Sequence, residues 1–138
     1  MSERVVVYQD KSFRTDFRAA DPNEDDNSDV EPVMHLHNLT PYGMLLASLG
    51  SCTAIVVNTY ARNHDIPLRG ITVDSSYKRV FADDCEDCDI DNEYEEIIQK
   101  HVEFEGDLDN SQLKRLHQVA KACSVRRLLE NGIRVVSD

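Results

Sequence analysis

The sequence is short of basic residues. Its 138 residues include 15 Lys and Arg against 26 Asp and Glu, so the formal net charge at pH 7 is −11. A protein that binds phosphate backbones or anionic lipids needs a basic surface. The deficit therefore argues against a nucleic acid or an anionic membrane as the partner.

Long apolar runs and targeting segments are missing as well. We count no apolar run of the roughly 18 residues that a membrane span needs, and the N-terminus lacks the basic-then-apolar pattern of a signal peptide. We therefore expect a cytoplasmic protein with no membrane partner. Thiols are normally reduced in that compartment, so the four cysteines are expected to be catalytic, metal-binding or inert rather than a disulfide framework.

Several catalytic motifs are absent from the sequence. It contains no Gly-rich phosphate loop, no HExxH and no GxSxG, so nucleotide binding, zinc proteolysis and serine-hydrolase chemistry have no support. We expect no cofactor. A chain of this length is expected to form one domain, spanning residues 1–138.

The periodicity of the apolar residues predicts an α+β fold. Alternation predicts strands at 4–8, 12–18, 70–81, 94–104 and 133–136, with a short extended piece at 33–37. In the strand at 94–104, Ile98, Val102 and Phe104 are expected to share one face. Helices are expected after Thr40 and after Asn110 or Ser111, the last of them ending at Gly132. Because strands precede and follow a buried helix, the sheet is expected to be antiparallel rather than built from βαβ units.

The central helix is the clearest of these elements. Thr40 is a suitable N-cap, Pro41 fits the first helical position, and Pro67 cannot continue the helix. Its predicted apolar face has a spacing of 4, 3, 4 and 3 residues; the members are Leu45, Leu49, Cys52, Val56 and Thr59. Other apolar residues widen this face, so we expect the helix to be covered on most sides.

Two cysteines lie in apolar, helix-like stretches. Cys52 is in the central helix. Cys123 follows 71 residues later, on the inward face of the helix predicted after Asn110 or Ser111, and Arg126 and Arg127 come behind it. A reactive cysteine needs a lowered pKa, and Cys52 lies about three turns from its helix N-terminus, too far for the dipole to help much. Two readings stay open: a redox pair, or inert core cysteines, which spacing alone favours.

The other two cysteines, Cys85 and Cys88, form a CxxC motif in an acidic segment. Residues 83–96 contain nine carboxylates, which would raise the thiol pKa values. A lone CxxC is half of a zinc site. We favour an exposed loop here, ahead of metal binding and then redox chemistry; a partly exposed strand is likewise favoured over a metal site for His35 and His37.

Three segments resemble one known family. Residues 40–54 (TPYGMLLASLGSCTA) resemble the central-helix signature of the OsmC/Ohr family, the osmotically inducible protein C and organic hydroperoxide resistance proteins. Residues 60–73 (YARNHDIPLRGITV) match the family's helix end, loop and strand, and residues 122–129 (ACSVRRLL) resemble its second cysteine motif. The resemblance extends over residues 33–137 in order.

The resemblance implies an OsmC-like fold, an antiparallel sheet with a long buried central helix, assembled as an intertwined homodimer. It also implies a thiol-dependent peroxidase of the antioxidant stress response that reduces small organic hydroperoxides. In that reading Cys52 attacks the peroxide and becomes a sulfenic acid, and Cys123 resolves it to a disulfide. A dithiol reductant then restores both thiols.

The sequence departs from the peroxidase pattern around Cys52. The position of an arginine-orienting glutamate is occupied by Tyr42, and residues 32–39 contain no arginine. The remaining candidates for activating Cys52 are Arg14, Arg18 and Tyr42, with His35 and His37 as others. Ser124 also replaces a usual proline. The alternative function is therefore a non-enzymatic, redox-responsive or small-ligand-binding protein.

Overall fold

The computed structural model describes residues 2–24, 28–81 and 94–138. Its strands form one antiparallel sheet in the order β3-β2-β1-β4-β5. The strands are β1 (Ser2–Asp10), β2 (Thr15–Ala19), β3 (Glu31–Pro32), β4 (Leu68–Phe81) and β5 (Tyr94–Gly106). The predicted α+β class with an antiparallel sheet is confirmed.

The alternation of the central strands explains which side of the sheet is buried. Val5 and Val7 of β1 and Ile71 and Val73 of β4 are at most 1% exposed. Residues two apart on a strand point to the same face, and the register places Val7 directly opposite Val73. This shared apolar face is the floor on which the helices pack.

The central helix, α1, spans Pro41–Asn63 and begins as predicted: the Thr40 side chain accepts a hydrogen bond from the Gly43 N–H. The predicted packing face is wrong in part. The side that packs on the sheet is rich in small residues, including Gly50, Ala54 and Ala61. Of the predicted face, Leu49 is buried, whereas Cys52 is partly exposed.

The small residues let α1 lie very close to the sheet. A Cβ atom added at Gly50 would be 2.6 Å from Cγ2 of Val7, too short for two carbon atoms in contact. An apolar stripe of large side chains gives no weight to Gly and Ala, although these residues form the face of α1 that packs on the sheet. Of the predicted stripe, only Leu49 is buried.

The sequence analysis expects no apolar run long enough to span a membrane. Judged by length and composition alone, α1 is long and apolar enough to do so. This helix has 23 residues and a mean hydropathy of 1.4 over its most apolar window, half of which is buried inside the protein. A core helix of a folded domain passes the same test, so the finding is weak evidence for a membrane span.

Two shorter helices follow the sheet. Helix α2 spans Asn110–Val119, and its cap is Asp109 rather than either predicted residue, with the carboxylate accepting from the Gln112 N–H at 2.8 Å. Helix α3 spans Ser124–Asn131. Cys123 therefore does not lie on α2 but directly precedes α3.

The predicted last strand does not form in the structure. Residues 133–136 have no helical or strand structure, and Ile133, Val135 and Val136 are 68%, 82% and 72% exposed. Alternation predicts a local extended preference, whereas pairing depends on a free strand edge elsewhere in the structure.

Candidate active site

Helix α1 holds Cys52 on the side turned away from the sheet. Its neighbours Thr53 and Ala54 point inward and are 0% exposed, while Cys52 is partly exposed. Cys52 is eleven positions after Pro41, which corresponds to about 16 Å along the helix axis. The N-terminus of α1 therefore contributes little to the chemistry of this thiol.

The N-terminus of a different helix reaches Cys52. The Sγ atom of Cys52 lies 3.5 Å from Oγ of Ser124, and hydrogen bonding from the backbone N–H groups of Ser124 and Val125 lowers the pKa of its thiol. The first N–H groups of a helix have no partner within that helix and carry its positive dipole end. The start of α3 is thus an electropositive group directed at the Cys52 sulfur.

The second thiol belongs to the same cluster. Cys123 is 3% exposed and occupies the N-cap position of α3, where its side chain is a hydrogen-bond partner of Cys52. The structure thus brings together the two cysteines that the sequence separates by 71 residues.

The pKa of Cys52 reflects opposing influences. Burial, the largest single influence, raises the pKa, while hydrogen bonds from the Val125 N–H, the Cys123 thiol and Ser124 lower it. Together the hydrogen bonds prevail, and the pKa of the Cys52 thiol lies below its ordinary value. A lowered pKa increases the thiolate fraction near neutral pH, and the thiolate is the nucleophilic form.

Lys100 is a further member of the site that sequence reasoning missed. Its Nζ atom donates hydrogen bonds to Oγ1 of Thr53 at 3.1 Å and to the carbonyl oxygen of Ala120 at 3.0 Å. Thr53 directly follows Cys52, and Ala120 lies three residues before Cys123. The sequence contains a signal for this residue, because Lys100 interrupts the apolar row of β5 between Ile98 and Val102.

A cavity of about 580 Å³ opens between β5 and the helices, and Lys100 is part of its lining. Leu49, Ile98, Val102, Ala120 and Leu129 supply its apolar lining, and its charged lining residues come from β5, α2, α3 and the link between those helices. A second cleft of about 440 Å³ is lined by Cys123 and Ser124. The two cavities share Lys121, Arg126 and Glu130 as a common wall.

The candidate activating residues Tyr42, Arg18 and Arg14 lie away from Cys52 in the structure. Tyr42 stacks on Tyr77 with ring centroids 4.6 Å apart, and ten residues of helix, about 15 Å, separate it from Cys52. Arg18 is on the exposed side of β2, opposite in direction to the core-facing Phe17. Arg14 lies in the turn between β1 and β2, where its N–H donates to the Asp10 carboxylate.

Metal-binding residues are not gathered in the described segments. No group of three His, Cys, Asp or Glu side chains there could hold a metal ion. His35 and His37 stack on each other with ring centroids 5.3 Å apart. The weak metal candidates Cys85 and Cys88 lie outside the described residues.

Comparison with known proteins agrees with the observed fold. Solved structures include a similar one, the crystal structure at 1.70 Å resolution of an OsmC-like hydroperoxide resistance protein from Jannaschia sp. CCS1. It matches with a TM-score of 0.65 and 13% identity, over 97% of this chain and 90% of that one. No curated protein matches the chain. The family model for OsmC-like proteins matches residues 34–138, which include Cys52, Cys123 and all three described helices. The chain therefore belongs to the OsmC-like family.

Proposed function

We propose that this protein is a thiol-dependent peroxidase that reduces organic hydroperoxides. The observation that carries the proposal is the position of Cys52 against the N-terminus of α3, with Cys123 as its hydrogen-bond partner. One thiol with a lowered pKa beside a second, buried thiol is the arrangement that sulfenate and disulfide chemistry needs. Membership of the OsmC-like family adds support.

The proposed reaction begins with the Cys52 thiolate. It attacks one oxygen of the hydroperoxide, so an S–O bond forms while the O–O bond breaks, and the alkoxide leaves and takes up a proton as the alcohol. Sulfur is oxidised by two electrons to a sulfenic acid. The N–H groups of Ser124 and Val125 favour the thiolate before this step.

Resolution then uses Cys123. The Cys123 thiol gives up its proton and attacks the Cys52 sulfenic sulfur. An S–S bond forms, the S–O bond breaks, and the hydroxide that leaves takes up a proton to become water. An external dithiol reductant reopens this disulfide by two thiol–disulfide exchanges and is itself oxidised to a disulfide. A reducing compartment such as the cytoplasm would supply that reductant.

The neighbouring cavity supports an organic rather than an inorganic peroxide. Leu49, Ile98 and Leu129 give it an apolar lining, and it shares a wall with the cleft that Cys123 lines. Burial of an alkyl or aryl group on such a surface is favourable. Hydrogen peroxide has no apolar group to bury there. We therefore expect bulky hydroperoxides to react faster than hydrogen peroxide.

The exposed apolar side chains support assembly as a homodimer. Ile55 of α1 and Leu128 of α3 are 46% and 41% exposed, and the apolar residues of the C-terminal tail are also exposed. Exposed apolar side chains on adjoining elements are typical of surfaces that pack against a partner. A second copy covering Ile55 and Leu128 would lie beside the thiols.

The test is the consumption of cumene hydroperoxide by the reduced protein with a dithiol reductant, compared with Cys52→Ser. We expect Cys52→Ser to lose turnover and Cys123→Ser to react once, accumulating a sulfenic acid that dimedone traps. A Cys85→Ser/Cys88→Ser variant is the matched control and should retain activity. Full activity of Cys52→Ser would falsify the proposed mechanism.

A second candidate function is a non-enzymatic, small-ligand-binding or redox-responsive protein. It is favoured by the larger cavity, whose lining does not include either described cysteine. In that case the wild-type protein would bind an apolar ligand with the same affinity as Cys52→Ser and would not consume peroxide. The same assay, combined with a ligand titration of both proteins, separates the two functions.

A further inference from the structure

Lys100 lies where a strand ordinarily presents an apolar side chain. On β5 it shares a face with Ile98, Val102 and Phe104, which pack on or within the core. Burial lowers the pKa of Lys100, since removing an ammonium group from water disfavours its charged form. A cation is seldom kept in such a row without a compensating role.

The contacts of Lys100 are with neutral oxygen atoms. Its ammonium group donates to the Thr53 hydroxyl and the Ala120 carbonyl. Within residues 2–24, 28–81 and 94–138, none of the ion pairs with a carboxylate involves Lys100. The nearby sulfur atoms of Cys123 and Cys52 both favour the protonated form of Lys100.

These two hydrogen bonds join the two halves of the dithiol. Thr53 is on α1 immediately after Cys52, whereas Ala120 is at the C-terminal cap of α2, in the segment that leads to Cys123. One ammonium group on β5 therefore links the peptide segments of both thiols. The Thr53 hydroxyl in turn donates to the Leu49 carbonyl at 2.8 Å, which fixes its direction.

We infer that Lys100 is a positioning residue that holds the segments of Cys52 and Cys123 together and supplies positive charge that stabilises the Cys52 thiolate. The inference rests on the proposed peroxidase function and assigns a role in it to a residue outside both cysteine motifs. Lys100 acts on two steps: it favours the attacking form of Cys52, and it keeps Cys123 close enough to resolve the sulfenic acid.

The ionisable groups around this ammonium group come from β5, the three helices and the link between α2 and α3. Arg126 opposes its protonated form and Glu130 favours it, both from α3. The ionisable groups that share its cavity are Glu96 and His101 of β5, His117 of α2, Lys121 after α2, and Arg126 and Glu130 of α3. Among these described residues, Lys100 is the cation that contacts the segments of both cysteines.

The test uses Lys100→Met, which keeps a long side chain without charge or donors, and Lys100→Arg, which keeps the charge. Lys114→Met is the matched control, because Lys114 is an exposed residue of α2 and the change in net charge is the same. The first measurement is the pH dependence of Cys52 alkylation by iodoacetamide in a Cys123→Ser background. This readout needs no peroxide.

We expect Lys100→Met to raise the thiol pKa by about one unit, which slows alkylation at neutral pH about tenfold. Lys100→Arg should recover most of that rate, and Lys114→Met should match the parent. The second measurement, with Cys123 present, is disulfide closure after one equivalent of cumene hydroperoxide. Lys100→Met should close more slowly, leaving a sulfenic acid that dimedone traps for longer.

Unchanged alkylation and closure in a folded Lys100→Met protein would overturn the inference. Should that variant not fold, Lys100→Gln, which retains a neutral donor, takes its place in the comparison with Lys100→Arg. A Lys100-dependent thiol pKa in a protein that consumes no peroxide would refute the peroxidase function alone. Peroxide turnover that is indifferent to Lys100 would refute the positioning role alone.

Discussion

The two sides of α1 differ in what they place against their neighbours. The sheet side presents small residues such as Gly50 and Ala54, which bring the helix backbone close to β1 and β4. The other side presents Cys52, partly exposed, toward α3 and the neighbouring cavities. One helix thus combines a rigid support with a reactive group, and close packing on one side fixes the position of the thiol on the other.

The largest effect on stability is expected from Leu46→Ala on the packed side. Leu46 is 1% exposed, and truncating a buried leucine typically costs about 2–5 kcal/mol of unfolding free energy. Chemical denaturation of the reduced protein measures the loss. The control is Ile55→Ala on the open side, where the side chain is 46% exposed and we expect a smaller loss in monomeric protein. Equal losses at both sites in monomeric protein would contradict the contrast between the two sides.

Gly50→Ala tests the close approach itself. The new methyl group would lie 2.6 Å from Cγ2 of Val7, so one element must shift, at a cost of about 1–3 kcal/mol. The higher helix propensity of alanine returns up to about 1 kcal/mol of this. We expect a net destabilisation, measured by denaturation. In a Val7→Ala background the cost should largely disappear, and an unchanged cost in that double-mutant cycle would show that the contact is not its source.

The smallest effect concerns the open side and depends on pH. Because the pKa of folded Cys52 lies below its ordinary value, its thiolate stabilises the folded state above the unfolded thiol pKa, and this stabilisation is lost as pH falls through the folded pKa. The stability of the reduced wild-type protein relative to Cys52→Ser should therefore increase with pH and then level off. Denaturation curves at a series of pH values measure this difference. Thr59→Ala, at an exposed α1 position, should show no such trend relative to wild type.

The elements of the fold were predictable because their signals are local. Thr40 and Pro41 mark the start of α1 in the sequence, and the alternation around Ile71 and Val73 marks β4. The pairing of α1 with the sheet was harder to predict, because Gly50 and Ala54 contribute closeness rather than apolar bulk. That contribution becomes visible only when the opposing Val7 is known.

The site was predictable in part, and for a similar reason. The motif resemblance identifies Cys52 and Cys123. The sequence gives no sign that α3 begins at Ser124, because no proline stands there, so the helical pattern of α2 extends through Cys123. Lys100 lies between Ile98 and Val102, which alternation predicts to share one face of the strand. A charged residue in this apolar row is the signal in the sequence for a further site residue. Its contacts with Thr53 and Ala120 join three elements distant in sequence, which periodicity cannot relate.

The hydrogen bonds at the start of α3 have a consequence for the protein after oxidation. In the described structure the Cys123 side chain does not cap this helix, and the Cys52 sulfur accepts from its first N–H groups instead. A disulfide sulfur is neutral and a poorer acceptor than a thiolate. The amide protons of Ser124 and Val125 should therefore exchange with solvent faster in the oxidised protein, so that a single eight-residue helix reports the redox state of the dithiol.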